Sequence, residues 1–139
     1  MFIDASAIVA VLRREPGWEA LEARIAAARG PFFVSPLVRF EAAVAIARSK
    51  ARADTLPTPA MILAARKAVD ALIEEIGATE IAVSSEIGDL ALEAATTYGR
   101  AVGHPARLNF GDCFAYACAK SKGTDLLYVG NDFAQTDLA

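Results

Sequence analysis

The stretch NFGDCFAYACAKSKGTDLLYVGNDF, residues 109–133, decides the fold. Its first part reads as an apolar helix opened by an acid, Asp112, and stopped at Gly123. Its second part, DLLYV, is a continuous apolar run that leads through two loop residues to another acid, Asp132. A strand that is apolar at successive positions has both faces covered, which is the pattern of a parallel sheet between helices. An acid heading so apolar a helix, and another just past a core strand, must have a local or a chemical reason.

Outward from this stretch the same alternation repeats. MFID is a short apolar run ending in Asp4, and SAIVAVLRR follows with Ser6 placed to cap a helix. GWEALEARIAAARG puts Trp18, Leu21, Ile25 and Ala28 on one helical face, with Gly30 as its stop. FFVS reads as a buried strand and the residues from Leu37 to about Lys50 as a helix. TPAMILAARKAVDALIEEIG gives another, with Ile62, Val69, Ile73 and Ile76 on one stripe and Gly77 behind them. TEIAVS is a third strand, and Ser85 caps EIGDLALEAATTYG, which ends at Gly99. RAVGHPARLNFG is the one long loop. The expectation is an α/β protein with a central parallel sheet and a single domain over residues 1–139, without linker or repeat.

Composition bounds the function. The chain has 139 residues, 55% of them hydrophobic, and a mean hydropathy of +0.34, yet charges or turn residues break every stretch short of the ~18 a membrane span needs. MFID has no basic or extended apolar leader, so a soluble, cytoplasmic protein is expected, with no membrane partner. Cys113 and Cys118 lie about 140° apart around a helix and cannot grip one zinc together, so they read as small core residues. A net charge of −3 argues against a general positive field for nucleic acid and leaves room for a local basic patch.

Ligands of parallel sheets bind beyond the carboxyl ends of the strands. Asp4 and Asp132 follow strands there, and Asp112 opens a helix on the same rim. Glu41 falls inside a stripe formed by Leu37, Phe40, Val44 and Ala45, where a charge is costly unless something positive meets it. Singly, each acid has a structural reading: a cap, a turn residue, a helix-start acid, an arginine's partner. Together at one rim they repel unless protons or cations intervene, and an all-oxygen set suits Mg²⁺ or Mn²⁺. The chemistry matched to hard cations in an acidic rim is phosphodiester hydrolysis. The single histidine, His104, excludes a pair of imidazoles as acid and base and reads as a bystander or substrate contact. No nucleophile elbow or Walker loop occurs.

MFIDAS, PLVRFEAAVA, NFGDCFAYACAK and LLYVGNDFAQTDL, taken in that order from residue 1 to residue 138, resemble a PIN-domain ribonuclease of the VapC toxin family. The resemblance implies that Asp4 and Asp112 are the main metal ligands, that Glu41 and Asp132 complete the acidic quartet, and that Ser6 is the hydroxyl residue beside the first acid. Asn109 and Asn131 stand next to motif acids as supporting polar neighbours. It further implies a three-layer α/β/α PIN-like fold, a homodimer, and a metal-dependent endoribonuclease silenced by a VapB antitoxin that brings a basic side chain to the acids. The chain stops at Ala139, seven residues past Asp132, where many relatives continue into a last strand, so the count of strands is four or five.

For RNA backbone contacts the candidates are Arg48, Lys50 and Arg52 at one helix end and Arg100 and Arg107 in the loop, each also readable as a solvated charge. Arg13 and Arg14 are weaker. Two other readings compete: a Mg²⁺-dependent phosphoaspartyl phosphatase or switch domain, and a non-catalytic PIN-like binding module. The first requires a second acid where Ser6 stands, or an adjacent acidic pair and a lysine after the last strand. The second accords poorly with four retained acids.

Overall fold

Parallel neighbours cannot be joined by a hairpin, so a helix must intervene between every two strands. The computed structural model, which describes all 139 residues, has this form. β1 (Phe2–Ile3) precedes α1 (Ala5–Arg13) and α2 (Trp18–Ala27), and β2 (Phe33–Val34) precedes α3 (Pro36–Lys50) and α4 (Pro59–Glu75). β3 (Thr79–Glu80) leads to α5 (Ser85–Tyr98), a 3-10 turn over Arg100–Val102 and α6 (Phe110–Lys122), and β4 (Leu126–Leu127) follows. All pairs are parallel, in the order β3-β2-β1-β4, so the sheet has four strands. The ladders continue past the strand ends through Asp4 N–H to Leu127 O at 2.9 Å and Ile81 N–H to Val34 O at 2.9 Å.

Phe2, Ile3, Val34, Leu126 and Leu127 form the buried middle of the sheet. Against it lie helix faces built largely from alanine, including Ala7 and Ala10 of α1, Ala42 and Ala47 of α3, and Ala117 and Ala119 of α6. Such small side chains let backbones approach closely, and the two cysteines of α6, both free, fill the same layer. α3 packs on α1 and α4, and α5 on α6, so helices flank the sheet.

Several local expectations need correction. The inward side of α3 is Val38, Ala42, Ala43, Ile46 and Ala47, whereas Phe40 is 71% exposed and Leu37, Val44 and Ala45 are half-buried. The helix is apolar on most sides, so its period does not fix its phase, and packing against α1 and α4 selects the narrower alanine face. Ile62 is likewise exposed, and Met61 packs on the core in its place. Asp4, and not Ser6, caps α1, and Ser84, and not Ser85, caps α5. α2 ends at Ala27 with Ala28 extended, so Gly30 does not stop it. α6 begins at Phe110 with Asn109 as its cap, two residues before the acid expected to open it. In TEIAVS only Ile81 is buried, because β3 is the sheet edge, where Arg39 of α3 reaches Glu80 at 2.7 Å and Asp70 of α4 at 2.7 Å.

The topology places the rim acids. From β1 the chain moves to β2 and β3 on one side and returns to β4 on the other, so the β1/β4 boundary is a switch point with a crevice beyond its carboxyl ends. Asp4 leaves β1 there, and the β4 exit carries Asp132. The exit is pinned by Phe133, 2% exposed and tilted against Tyr128 at 5.0 Å. Beyond it Asp137 accepts from Tyr116 Oη at 2.7 Å and Lys120 Nζ at 2.8 Å, fastening the tail to α6. Phe133→Ala is expected to cost about 3–5 kcal/mol in a urea melt. A loss below about 1 kcal/mol would show that the exit of β4 is held by the tail contacts instead.

Candidate active site

Asp4 is the most buried of the acids, 6% exposed, because it stands where a central strand turns directly into a helix. Its Oδ2 accepts the N–H of Ser6 at 2.9 Å and the hydroxyl of Ser6 at 2.5 Å. The same hydroxyl oxygen accepts the N–H of Val129 at 3.0 Å. Ser6 thereby ties the exit of β1 to the exit of β4, a role that needs a side-chain hydroxyl in the first turn of α1. Burial raises the Asp4 carboxyl above its usual range, against the lowering effect of its hydrogen bonds, and Asp132 adds a smaller upward push.

Asp112 occupies the third position of α6 in a reciprocal cap. Its carboxylate accepts the Asn109 N–H at 2.8 Å, and the Asn109 side chain accepts the Asp112 N–H at 3.1 Å. The cap explains why so apolar a helix begins with an acid. It does not remove the cost of the charge: burial first, then Asp4 and Asp132, push the Asp112 carboxyl up to about 6, with Asn109 and Arg100 pulling the other way.

Glu41 comes from the outward side of α3 and lays its carboxylate over the first turn of α6. A Cβ on Gly111 would lie 2.6 Å from its Oε2 and 3.0 Å from Oε1, so glycine is what admits the glutamate there. Both Glu41 and Asp112 thus meet the positive end of the α6 dipole. The residue as a whole is exposed, but its carboxylate is crowded, and desolvation followed by Asp4 and Asp112 raises its pKa.

Asp4, Glu41, Asp112 and Asp132 line one hollow of about 260 Å³ with Ser6, Val9, Glu15, Val129 and Phe133. No cationic side chain lines it. The four segments read from sequence are therefore brought together. As they stand, no three acids converge closely enough to coordinate one ion. The donor set, carboxylates and a hydroxyl, fits a hard divalent cation and excludes a soft one. Asn109 supports the site as a cap. Asn131 is exposed, and its side chain makes no hydrogen bond.

Of the basic candidates, Arg100 acts on Asp112, and Arg48 lines a groove that also contains Glu41. Lys50, Arg52 and Arg107 are exposed and line neither hollow nor groove. Arg13 is ion-paired with Glu15 at the hollow. His104 accepts the Ala106 N–H on Nδ1 at 3.1 Å and meets Tyr98 edge-on at 5.3 Å, so it pins its own loop. Sequence reading missed Glu15 and Gly111. The second had a signal: glycine is a poor helix former compared with alanine, so its place just inside a helix start invites a reason.

The PIN domain family model matches residues 1–138. A VapC ribonuclease of Rhizobium meliloti is 50% identical over 142 residues, covering 99% of this chain and 98% of that protein. Ribonuclease VapC42 of Mycobacterium tuberculosis is 34% identical over 138 residues, covering 99% and 96%. Among solved structures, the Mycobacterium tuberculosis toxin VapC20, described as sarcin-ricin loop cleaving, superposes with a TM-score of 0.71 at 18% identity, covering 99% and 97%. A toxin-antitoxin complex from Klebsiella pneumoniae gives 0.65 at 14%, covering 98% and 92%. These two likenesses speak for the fold.

Two predictions come from the geometry. Gly111→Ala should fold with near-normal stability, since the atom it meets is the free end of a side chain, while it expels the Glu41 carboxylate and lowers divalent-ion affinity at least ~10-fold by calorimetric titration. Metal-free stability should also fall with pH. Asp112 ionises near its ordinary 3.8 when unfolded and near about 6 when folded, so the native state holds the extra proton between those values. Stability then declines as pH rises through this window, and the penalty is complete above it. Denaturant melts in chelator should show wild type losing more stability than Asp112→Asn between about pH 4 and about pH 7. Parallel profiles would refute the assignment of that shift to Asp112.

Proposed function

The chain belongs to the PIN-domain family, and from that premise we propose that it is a VapC-type toxin, a divalent-metal-dependent endoribonuclease held silent by a VapB-type antitoxin. The observation that supports this most is the hollow at the β1/β4 switch point, where Asp4, Glu41, Asp112 and Asp132 meet from four segments, with Glu15 at its wall and no cationic side chain in its lining. The matching relatives are named as VapC ribonucleases over their full length, which supports RNA as substrate.

Asp4 and Asp112 would hold Mg²⁺ or Mn²⁺, with Glu41 and Asp132 completing the set. The bound cation supplies a water of lowered pKa and offsets charge developing on the phosphate. Ser6 holds Asp4 in place and joins it to the β4 exit, so the spacing of Asp4 and Asp132 is fixed by the fold. Asn109 fixes Asp112 by the reciprocal cap. Arg100 stands beside Asp112 and Arg48 beside Glu41, where phosphates flanking the cut would lie.

The whole chain, residues 1–139, acts as one domain in the cytoplasm; no helix is long and apolar enough to cross a membrane. A homodimer and an antitoxin would take the apolar side chains left on the surface, among them Leu63 at 57% and Leu92 at 68% exposure. The antitoxin would place a basic side chain in the acidic hollow.

The deciding experiment compares wild type with Asp112→Asn, which keeps an oxygen for the Asn109 N–H. Millimolar Mn²⁺ or Mg²⁺ should raise the wild-type melting temperature and permit internal cuts in a mixed RNA pool, because a ligand bound only by the native state stabilises it. Asp112→Asn should lose both responses while its metal-free stability stays equal or rises by about 1 kcal/mol. A variant that is less stable yet fully active would make Asp112 a helix-start acid only.

A further inference from the structure

Beside the acidic hollow runs a groove of about 430 Å³ between α3 and the start of α6, lined by Leu37, Phe40, Glu41, Val44, Ala45, Arg48, Phe110 and Gly111. Glu41 belongs to the walls of both, so whatever strand is cut in the hollow can continue into the groove. Two phenylalanines stand there in the open: Phe40 is 71% and Phe110 is 70% exposed. Neither belongs to the core or to the side chains packed against it. Phe110 is tilted against Phe114 at 4.9 Å and also borders an apolar hollow between α5 and α6, and Phe40 lies on the outward side of its helix. Arg48 makes no ion pair, so its charge is free for an anion.

Resting on the ribonuclease reading above, we propose that this groove is the seat of an unpaired nucleotide adjoining the scissile phosphate, with Phe110 as the ring on which the base stacks, Phe40 as the second aromatic wall and Arg48 as the contact to its phosphate. Exposed rings next to a catalytic rim are how single-stranded RNA is commonly gripped, since every base has a stacking face and an unpaired one can be splayed onto it. The groove is of a size that takes a small ligand. Its charge pattern, a guanidinium without an ion pair together with the glutamate shared with the acidic hollow, matches a strand whose nearest phosphate goes to the hollow and whose next goes to Arg48. A protein segment would meet the same apolar wall but has no need of the continuity through Glu41. Because ring stacking reads no hydrogen-bonding edge, the seat demands a single strand and tolerates different bases.

The test uses the full-length protein and a short labelled single-stranded RNA, with binding followed by anisotropy in the Asp112→Asn background and KM and kcat measured in the active enzyme with Mg²⁺. Phe110→Ala should weaken binding and raise KM about 5- to 100-fold with kcat little changed, and Phe110→Trp should restore both. Phe40→Ala should act in the same direction and serves if Phe110→Ala folds poorly. Arg48→Gln should lower the slope of log Kd against log salt by about 0.7, and Arg48→Lys should keep it. Active enzyme whose KM is unmoved by either phenylalanine change overturns the seat and leaves the ribonuclease reading intact. The seat also falls if Phe110→Ala alters only self-association in light scattering, which would make the face a protein interface. Absence of cutting and binding by the wild type removes both readings.

Discussion

The structure depends on one buried carboxylate. Asp4 has to end a central strand, cap the helix that follows and face the switch point of the sheet, all within a site that is 6% exposed. Its hydrogen bonds to Ser6 make this tolerable, and the Ser6 hydroxyl passes the constraint to Val129 at the end of the neighbouring strand. The short distance from core to rim follows from this. With strands of two residues, there is no length in which β1 and β4 could slide, so fixing their exits fixes the crevice between them.

Around that anchor the other acids are placed by helix starts. Asp112 is held in a reciprocal cap and Glu41 rests on the same first turn of α6, where the amide dipoles favour negative charge. This favour is worth about 0.3–1 kcal/mol per acid at an exposed helix end, too little to offset the crowding of four carboxylates in a half-buried hollow. Burial first, and the neighbouring carboxylates after it, therefore push Asp4, Glu41 and Asp112 upward. A fold that needed these residues only as caps would use asparagine or serine at no such cost.

The acids were legible because they sit at element ends, where the strand and helix signals are strongest and few residues can slip. The α/β class and parallel sheet were legible for the same reason: FFVS, DLLYV and MFID are apolar without alternation. What was not legible was rotation. In α3 alanines and larger apolar side chains alternate around the helix, so the period is satisfied by two phases, and only the contact with α1 and α4 turns Val38 and Ile46 inward and Phe40 outward. The caps were misplaced by one or two residues, Ser85 for Ser84 and Ser6 for Asp4, because only the backbone torsions distinguish the extended cap residue from the helical one after it. Glu15 was invisible as a site residue because its approach to the hollow comes from the turn after α1, where Arg14 takes a left-handed conformation at φ 53°.

The misplaced face of α3 has a consequence for how an acidic protein handles a polyanion. A net charge of −3 gives no attraction at a distance, so binding has to be built from contacts close to the cut. Had Phe40 and Leu37 packed inward, the rim would offer RNA only a hollow of like charge and two separate arginines. Turned outward, Phe40 faces the same groove as Phe110 and Arg48, and stacking, which is far less sensitive to ionic strength than phosphate contact, can supply the affinity that the charge does not. The alanines that let α3 pack closely on α1 and α4 are therefore also what frees its larger side chains for the surface. The glutamate among them then stands in the one place from which it reaches both the acidic hollow and the groove.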